Sequence, residues 1–452
     1  MIKKDDNSNQ MSFLMPLLAD QLDKKHGLYQ LAGQLNWKYF DNEFEKYYRD
    51  DFGRPAKPIR LMVSLLILKQ IRNLSDESVV EQWAENCYYQ YFSGQQEFIP
   101  QVPCSPTELV MFRNRIGPDG AEKILKESIR IHGDDAKEEE IIGDTTVQEK
   151  NITFPTDSKL QIKIIEKCWQ IIEIEDLEIR QSYSRIVPQL RYQQRGRNHP
   201  KHAVKARRAD RKIKTIAGRL VREIERKLPP HNYYNQDLLL FKKVLAQKRE
   251  DSNKIYSLHE PHVCCISKGK DHKKYEFGCK VSILQTKTTG VIVGAMSFEK
   301  NQYDAKTLSP ALEQYQRLVG QQAKRAYFDL GYRGVKKIGN TEIITPDAGK
   351  KIMTDYKRRR HKKSMRRRSS IEPIIGHLKQ DHRLGRNFLK GINGDQINVI
   401  LGAAAFNFKR FIRLRLSAPF YLLHYAIWRI IQRMMDNFNL LSVRSNNLLF
   451  EG

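Results

Sequence analysis

The stretch EEEIIGDTTV, residues 138–147, decides the fold. Two isoleucines, two threonines and a valine within seven residues, flanked by charge, give a short β-rich run. It places Asp144 on or at the end of a strand.

Downstream, YEFGCKVSILQT (275–286) and GVIVGAMSFE (290–299) are joined by Lys287, Thr288 and Thr289, the pattern of an antiparallel hairpin. A helix over 305–318, a strand over 325–329, a short helix over 333–338 and a strand over 342–345 follow. After a loop, a further helix starts near Ser370. Between the first strand and the hairpin lies a helical insertion, about 158–258, with helical periodicity over 159–190 and 205–228. The basic joint RYQQRGRNHPKHAVKARR (191–208) reads as a loop or arm. A strand, a hairpin, then alternating helices and strands describe an α/β sheet of mixed direction. That order matches a ribonuclease-H-like (retroviral-integrase-like) catalytic core over about 138–412, in which ligands collect where strand ends meet.

Upstream, residues 1–137 read as an all-helical domain. KPIRLMVSLLILKQIRN (57–73) is a strongly apolar helix, Ser75 caps a second, and Ser105 with Pro106 and Glu108 starts a third that Gly117 and Pro118 end. Short helices with tight connections resemble a helix-turn-helix module for a DNA end, and read equally as a plain scaffold. The segment 413–452 is a helical tail of open role.

The 452 residues carry 79 Lys and Arg against 52 Asp and Glu, a net charge of +27. Such an excess favours a polyanionic partner, nucleic acid first. No apolar stretch reaches the roughly 18 residues of a spanning helix; Ile397 to Phe406 and Ala418 to Trp428 read as buried helices. The start MIKKDDNSNQ lacks the apolar core of a secretory signal, so a cytoplasmic location is expected. Six cysteines without a CxxC pair make neither a disulfide framework nor a zinc site.

Three acids stand out. AYFDLGYRG (326–334) ends a strand on Asp329 and turns through glycine, which suits a carboxylate pointing into a site and also suits a helix N-cap. Asp144 reads alternatively as a turn acid. Glu372 follows MRRRSSI at a helix start, where Ser369 or Ser370 can cap and the helix dipole favours the ionised, metal-binding form; taken alone, the residue reads more readily as dipole complementation without function. KRRRHKKSMRRR (357–368) leads into that helix and can steer DNA or form a basic linker.

These segments resemble bacterial insertion-sequence transposases of the DDE class. In that class the glutamate has an arginine four residues before it and a lysine seven after, as Arg368, Glu372 and Lys379 do here. The run SSIEPIIGHLKQDHRLGRNFLKGINGDQINVILGAAAFNFKR (369–410) is similar to the same region of insertion sequence family five, and DTTVQEKN, YEFGCK, NQYDAKTL and DLGYRG recur in order. The likeness covers about 57–412. One departure is Met365, where the related family four has a tyrosine.

The resemblance implies that Asp144, Asp329 and Glu372 are catalytic and hold two Mg2+ ions, which Mn2+ can replace. Hard cations select such oxygen ligands. Arg368, Lys379, Arg366, Arg367, Arg333, Lys362 and Lys363 are then the expected DNA contacts. The expected partners are double-stranded DNA, as terminal inverted repeats and target, and further copies of the chain on it, with the protein on the bacterial nucleoid when bound. A nuclease of the same fold without strand transfer and an inactive DNA-binding derivative are the alternatives. Tyr332 reads as a backbone contact or a packing residue, Asn301 and Asp304 as caps of the next helix, and His377 and His382 as DNA-contacting or structural.

Overall fold

The computed structural model describes residues 16–49, 55–248, 250–267, 274–346 and 354–415. The segment 416–452, with the expected helix over 418–428, lies outside them.

One mixed sheet organises the chain. Its strands are β1 (Glu140–Glu149), β2 (Cys264–Ser267), β3 (Tyr275–Thr286), β4 (Ile292–Phe298), β5 (Arg325–Tyr327), β6 (Lys337–Ile338) and β7 (Thr341–Ile344). β1 is central. One edge pairs antiparallel with β3, from Ile141↔Thr286 to Glu149↔Gly278; the other pairs parallel with β5, from Glu140↔Arg325 to Ile142↔Tyr327. β7 runs parallel beyond β5, and the far edge of β3 is shared by β2 and β4. The expected hairpin is therefore β3 and β4.

The outer edge of β4 would expose unpaired backbone. Side-chain amides close it. Gln314 accepts from the Ala295 N–H at 2.8 Å and donates to its carbonyl at 3.0 Å, and Asn407 does the same at Ile292, at 2.9 and 2.8 Å. Gln314 lies on the helix Leu308–Val319 and Asn407 on the helix over 391–415, so both are pinned to the sheet.

The N-terminal helices share one core with this sheet. Leu65, Trp83, Phe112 and Ile124 belong to the same buried cluster as Ile141, Phe328 and Phe408. In the helix Ile59–Ile71 every residue but Arg60 is buried, so it offers no face to a DNA groove. The third expected helix starts at Ser105 with a complete capping box and breaks at Gly117 (φ 61°), where a second segment begins at Pro118.

Between β1 and β2 the chain folds helices Asp157–Ile174, Ile186–Gln194, Ala203–Lys227 and Asn235–Ala246 around a separate core that includes Ile164, Ile213, Leu220 and Phe241. The basic joint 191–208 is not a loop or arm. It is mostly helical, because Asp210 gathers Ser158, Gln194 and Arg197 and draws the segment onto the neighbouring helix.

Two further expectations change. Residues 333–338 form no helix: Gly334 (φ 98°) breaks it, and 337–344 makes a tight hairpin turning at Gly339 (φ 54°) and Asn340. Ser370 does not cap the Glu372 helix either. A 3-10 turn over Arg368–Ser370 runs straight into Ile371–Asp381, and the Ser370 hydroxyl instead accepts a 2.9 Å hydrogen bond from Gln285 of β3.

Candidate active site

The parallel register of β1 and β5 brings two of the three acids together. Its last pair is Ile142↔Tyr327, and beyond it Phe328 N–H donates to the Ile344 carbonyl of β7 at 3.0 Å. Asp144 stands two residues further along β1, in mid-strand opposite Ile283 of β3, and Asp329 two residues past Tyr327, just beyond the end of β5. Both are partly exposed.

The third acid is brought in through packing. Ile371, the neighbour of Glu372, is fully buried against Ile142 and Tyr327, which lie two residues before Asp144 and Asp329. Residues two apart on a strand share a face. The Glu372 helix thus covers the sheet face just below the aspartates, with Met365, at the position of the family-four tyrosine, packed against the same cluster. The Glu372 carboxylate is exposed and meets Arg368 Nη2 at 3.5 Å. Among the described residues no three His, Cys, Asp or Glu side chains stand close enough together to hold a metal. Glu372 is turned to Arg368.

A fourth acid, Asp304, departs from its expected role as a cap. Asp304 caps no helix with its side chain; its Oδ1 accepts from the Thr145 hydroxyl at 3.0 Å and pairs with Lys280 Nζ at 2.9 Å. A methyl group at Gly331 would come within 2.8 Å of Asp304 Oδ2 and 3.0 Å of Asp329 Oδ1, so the two carboxylates face the same small residue. The Gly331 N–H donates to Asp329 at 2.9 Å, so the N-cap reading of Asp329 holds alongside its place in the site. The signal for Asp304 was Lys280, a cation on a strand in YEFGCK that needs a partner.

Tyr332 closes the floor. It is fully buried, its ring 4.5 Å from that of Phe328, so it packs and does not reach DNA. Burial first, then the charges of Asp144 and Asp304, push its hydroxyl far above the usual phenol range, so it stays neutral. Phe328 in turn lies over Gly143, where a Cβ would sit 2.2 Å from its ring. The glycine before Asp144 is there because that ring fills its place.

Most of the expected DNA contacts are exposed side chains. Arg333, Lys362, Lys363 and Arg366 are exposed, and the helix Asp355–Met365 carries the two lysines. Arg367 donates to the Thr288 carbonyl in the β3–β4 turn at 3.3 Å. Lys379 is half-buried in the last turn of the Glu372 helix. His382 is buried and bonds the Gln70 carbonyl at 3.0 Å, and exposed His377 pairs with Asp381 at 3.1 Å. All six cysteines are unpaired. No helix among the described residues is long and apolar enough to cross a membrane.

A family model described as Transposase domain (DUF772) matches residues 16–115, and one described as Transposase DDE domain matches residues 259–408. The chain is similar to the uncharacterized protein ORF8 in the nfe locus of Rhizobium meliloti, 40% identical over 179 residues, which covers 38% of this chain and 86% of that protein. No solved structure matches. The DDE domain implies a ribonuclease-H-like fold, and the mixed sheet centred on β1 is in keeping with it. With both transposase domains matched in order and the Rhizobium relative covered over most of its length, the chain belongs to the DDE transposases.

Proposed function

We propose that Asp144, Asp329 and Glu372 hold two divalent cations, Mg2+ or Mn2+, for cutting the ends of an insertion element of family five and joining them to target DNA. The observation that supports this reading is the β1–β5 register with the packing of Ile371: Asp144 and Asp329 each follow by two residues a member of the Ile142↔Tyr327 pair, and Glu372 follows Ile371, which is buried against that pair. The donors are hard, partly or fully exposed carboxylate oxygens, which fits such ions. When bound, the cations supply charge neutralisation at the scissile phosphate and an activated oxygen nucleophile.

The chain's own residues do the rest. Glu372 leaves Arg368 to join the aspartates, and the released guanidinium turns to a DNA phosphate. Lys280 and Thr145 hold Asp304 in place beside the site. Arg333, Lys362, Lys363, Arg366, Arg367 and Lys379 position the duplex by its backbone. The protein works in the bacterial cytoplasm, on the nucleoid, as a dimer or larger assembly on DNA.

The test is cleavage of a duplex carrying the element's terminal repeats, with Mg2+, by Asp329→Asn and Glu372→Gln. Each variant is expected to lose at least about a hundredfold in rate. Unchanged cleavage by both would sink the assignment. A pre-cut end that fails to join a second duplex would make the protein a nuclease, and duplex binding without cleavage by the unmodified chain an inactive derivative.

A further inference from the structure

We propose that the solvent face of the helix Ala203–Lys227 is a second DNA-docking surface, which grips the phosphate backbone of duplex outside the cut site. This rests on the transposase reading and adds to it a place where flanking DNA is held.

The helix is strongly two-sided. Ala206, Ala209, Ile213, Ile216, Leu220 and Ile224 are buried in the insertion's own core. Away from them run Lys205, Arg208, Lys212, Arg219, Arg222 and Arg226, all exposed, at steps of three, four, seven, three and four residues. Those steps keep the six cations on one stripe, roughly 32 Å long at ~1.5 Å per residue. That is about one turn of duplex.

The stripe has no acid of its own. Asp210 is taken by Arg197, Gln194 and Ser158; Glu223 is buried and accepts the Arg180 N–H at 2.8 Å; Glu225 pairs with Lys242. Among the described residues none of the six stripe cations forms an ion pair. Like charges three and four residues apart repel and weaken a helix. The repulsion is relieved when a polyanion of matching length lies along the stripe.

Chemistry selects duplex DNA. A membrane-surface helix needs apolar side chains beside its cations, and Val204 is the one large apolar residue exposed on this helix among those described. Single strands call for a ladder of exposed aromatics, which this helix lacks. Position agrees. The insertion leaves the sheet at the C-terminal end of β1, five residues beyond Asp144 on the same strand.

The test uses the full chain, without divalent metal, and a duplex of about 30 base pairs whose binding is followed by fluorescence anisotropy across salt concentrations. In Lys205→Gln/Arg208→Gln/Lys212→Gln/Arg222→Gln the slope of log affinity against log salt is expected to fall by about 3 to 4, since each phosphate contact contributes ~0.9. The charge-conserving Arg208→Lys/Arg222→Lys keeps the slope. Asp329→Asn also keeps it, so a failure of the catalytic reading shows in cleavage and leaves this measurement untouched. An unchanged slope in the glutamine variant overturns the proposal. So does loss in the lysine variant, or stripe-dependent binding that is tighter to duplex RNA, to a single strand or to anionic vesicles.

Discussion

The hydroxyl of Thr145 donates a 3.0 Å hydrogen bond to Asp304. This ties the residue after Asp144 to the loop before the helix Leu308–Val319, and Lys280 neutralises the same carboxylate. Thr145→Val keeps the strand shape and removes the bond. It should lower stability by about 1 kcal/mol and slow end cleavage by about tenfold, as the position of Asp144 loosens. Urea midpoints and cleavage rates check it; an unchanged rate would show that Asp304 does not help to hold Asp144.

Gly143→Ala should be costly. The new methyl would meet Phe328, just past the end of β5, at 2.2 Å and Leu284 of β3 at 2.6 Å. We expect about 1–3 kcal/mol of destabilisation and reduced cleavage. Adding Phe328→Leu should restore much of both. A melting temperature unaffected by the alanine would contradict this packing.

Asp76 is the shared partner of two buried cations, Lys69 at 2.7 Å and Arg113 at 2.9 and 3.1 Å. Burial pushes the Lys69 ammonium down to about 8 even with Asp76 beside it. Asp76→Asn leaves both cations without their charge partner in the helical core, and should cost about 3–5 kcal/mol. Chemical denaturation measures it, and a loss under about 1 kcal/mol would mean that water reaches the cluster.

His382 makes stability depend on pH. Burial is the main cause that lowers its imidazole to about 4, while the Gln70 carbonyl opposes. The folded value lies below the ordinary ~6.5, so the unfolded chain binds the proton more readily. The contribution is therefore complete above about pH 6.5 and is lost as pH falls toward 4. Between about pH 7 and pH 5 it should remove about 2 kcal/mol. His382→Gln, which keeps a donor for Gln70, should flatten that part of the profile; an identical pH dependence in the variant would assign the loss to other groups.

What was legible in the sequence was local in cause. Alternating apolar residues in 275–299 make a hairpin wherever they sit, Ser105-Pro106 with Glu108 caps a helix without help, and Asp144 and Asp329 each follow a β-rich run that must end in solvent or a site. Charge composition pointed to a polyanion because it sums over the chain. The pairing of β1 with β5, which sets Ile142 opposite Tyr327 two residues before each aspartate, depends on strands about 180 positions apart and is written in neither segment. Tertiary contacts also reversed local preferences. Asp210 folded the basic joint, Gln285 drew Ser370 away from capping, and two glycines at positive φ turned 333–338 from helix to hairpin. The sequence alone determined which acids the protein carries and much of the elements around them; only the sheet register and the packing of Ile371 on Ile142 and Tyr327 decided which strands and helix carry them past one another, because side chains far apart in the chain meet only when a core forces them together.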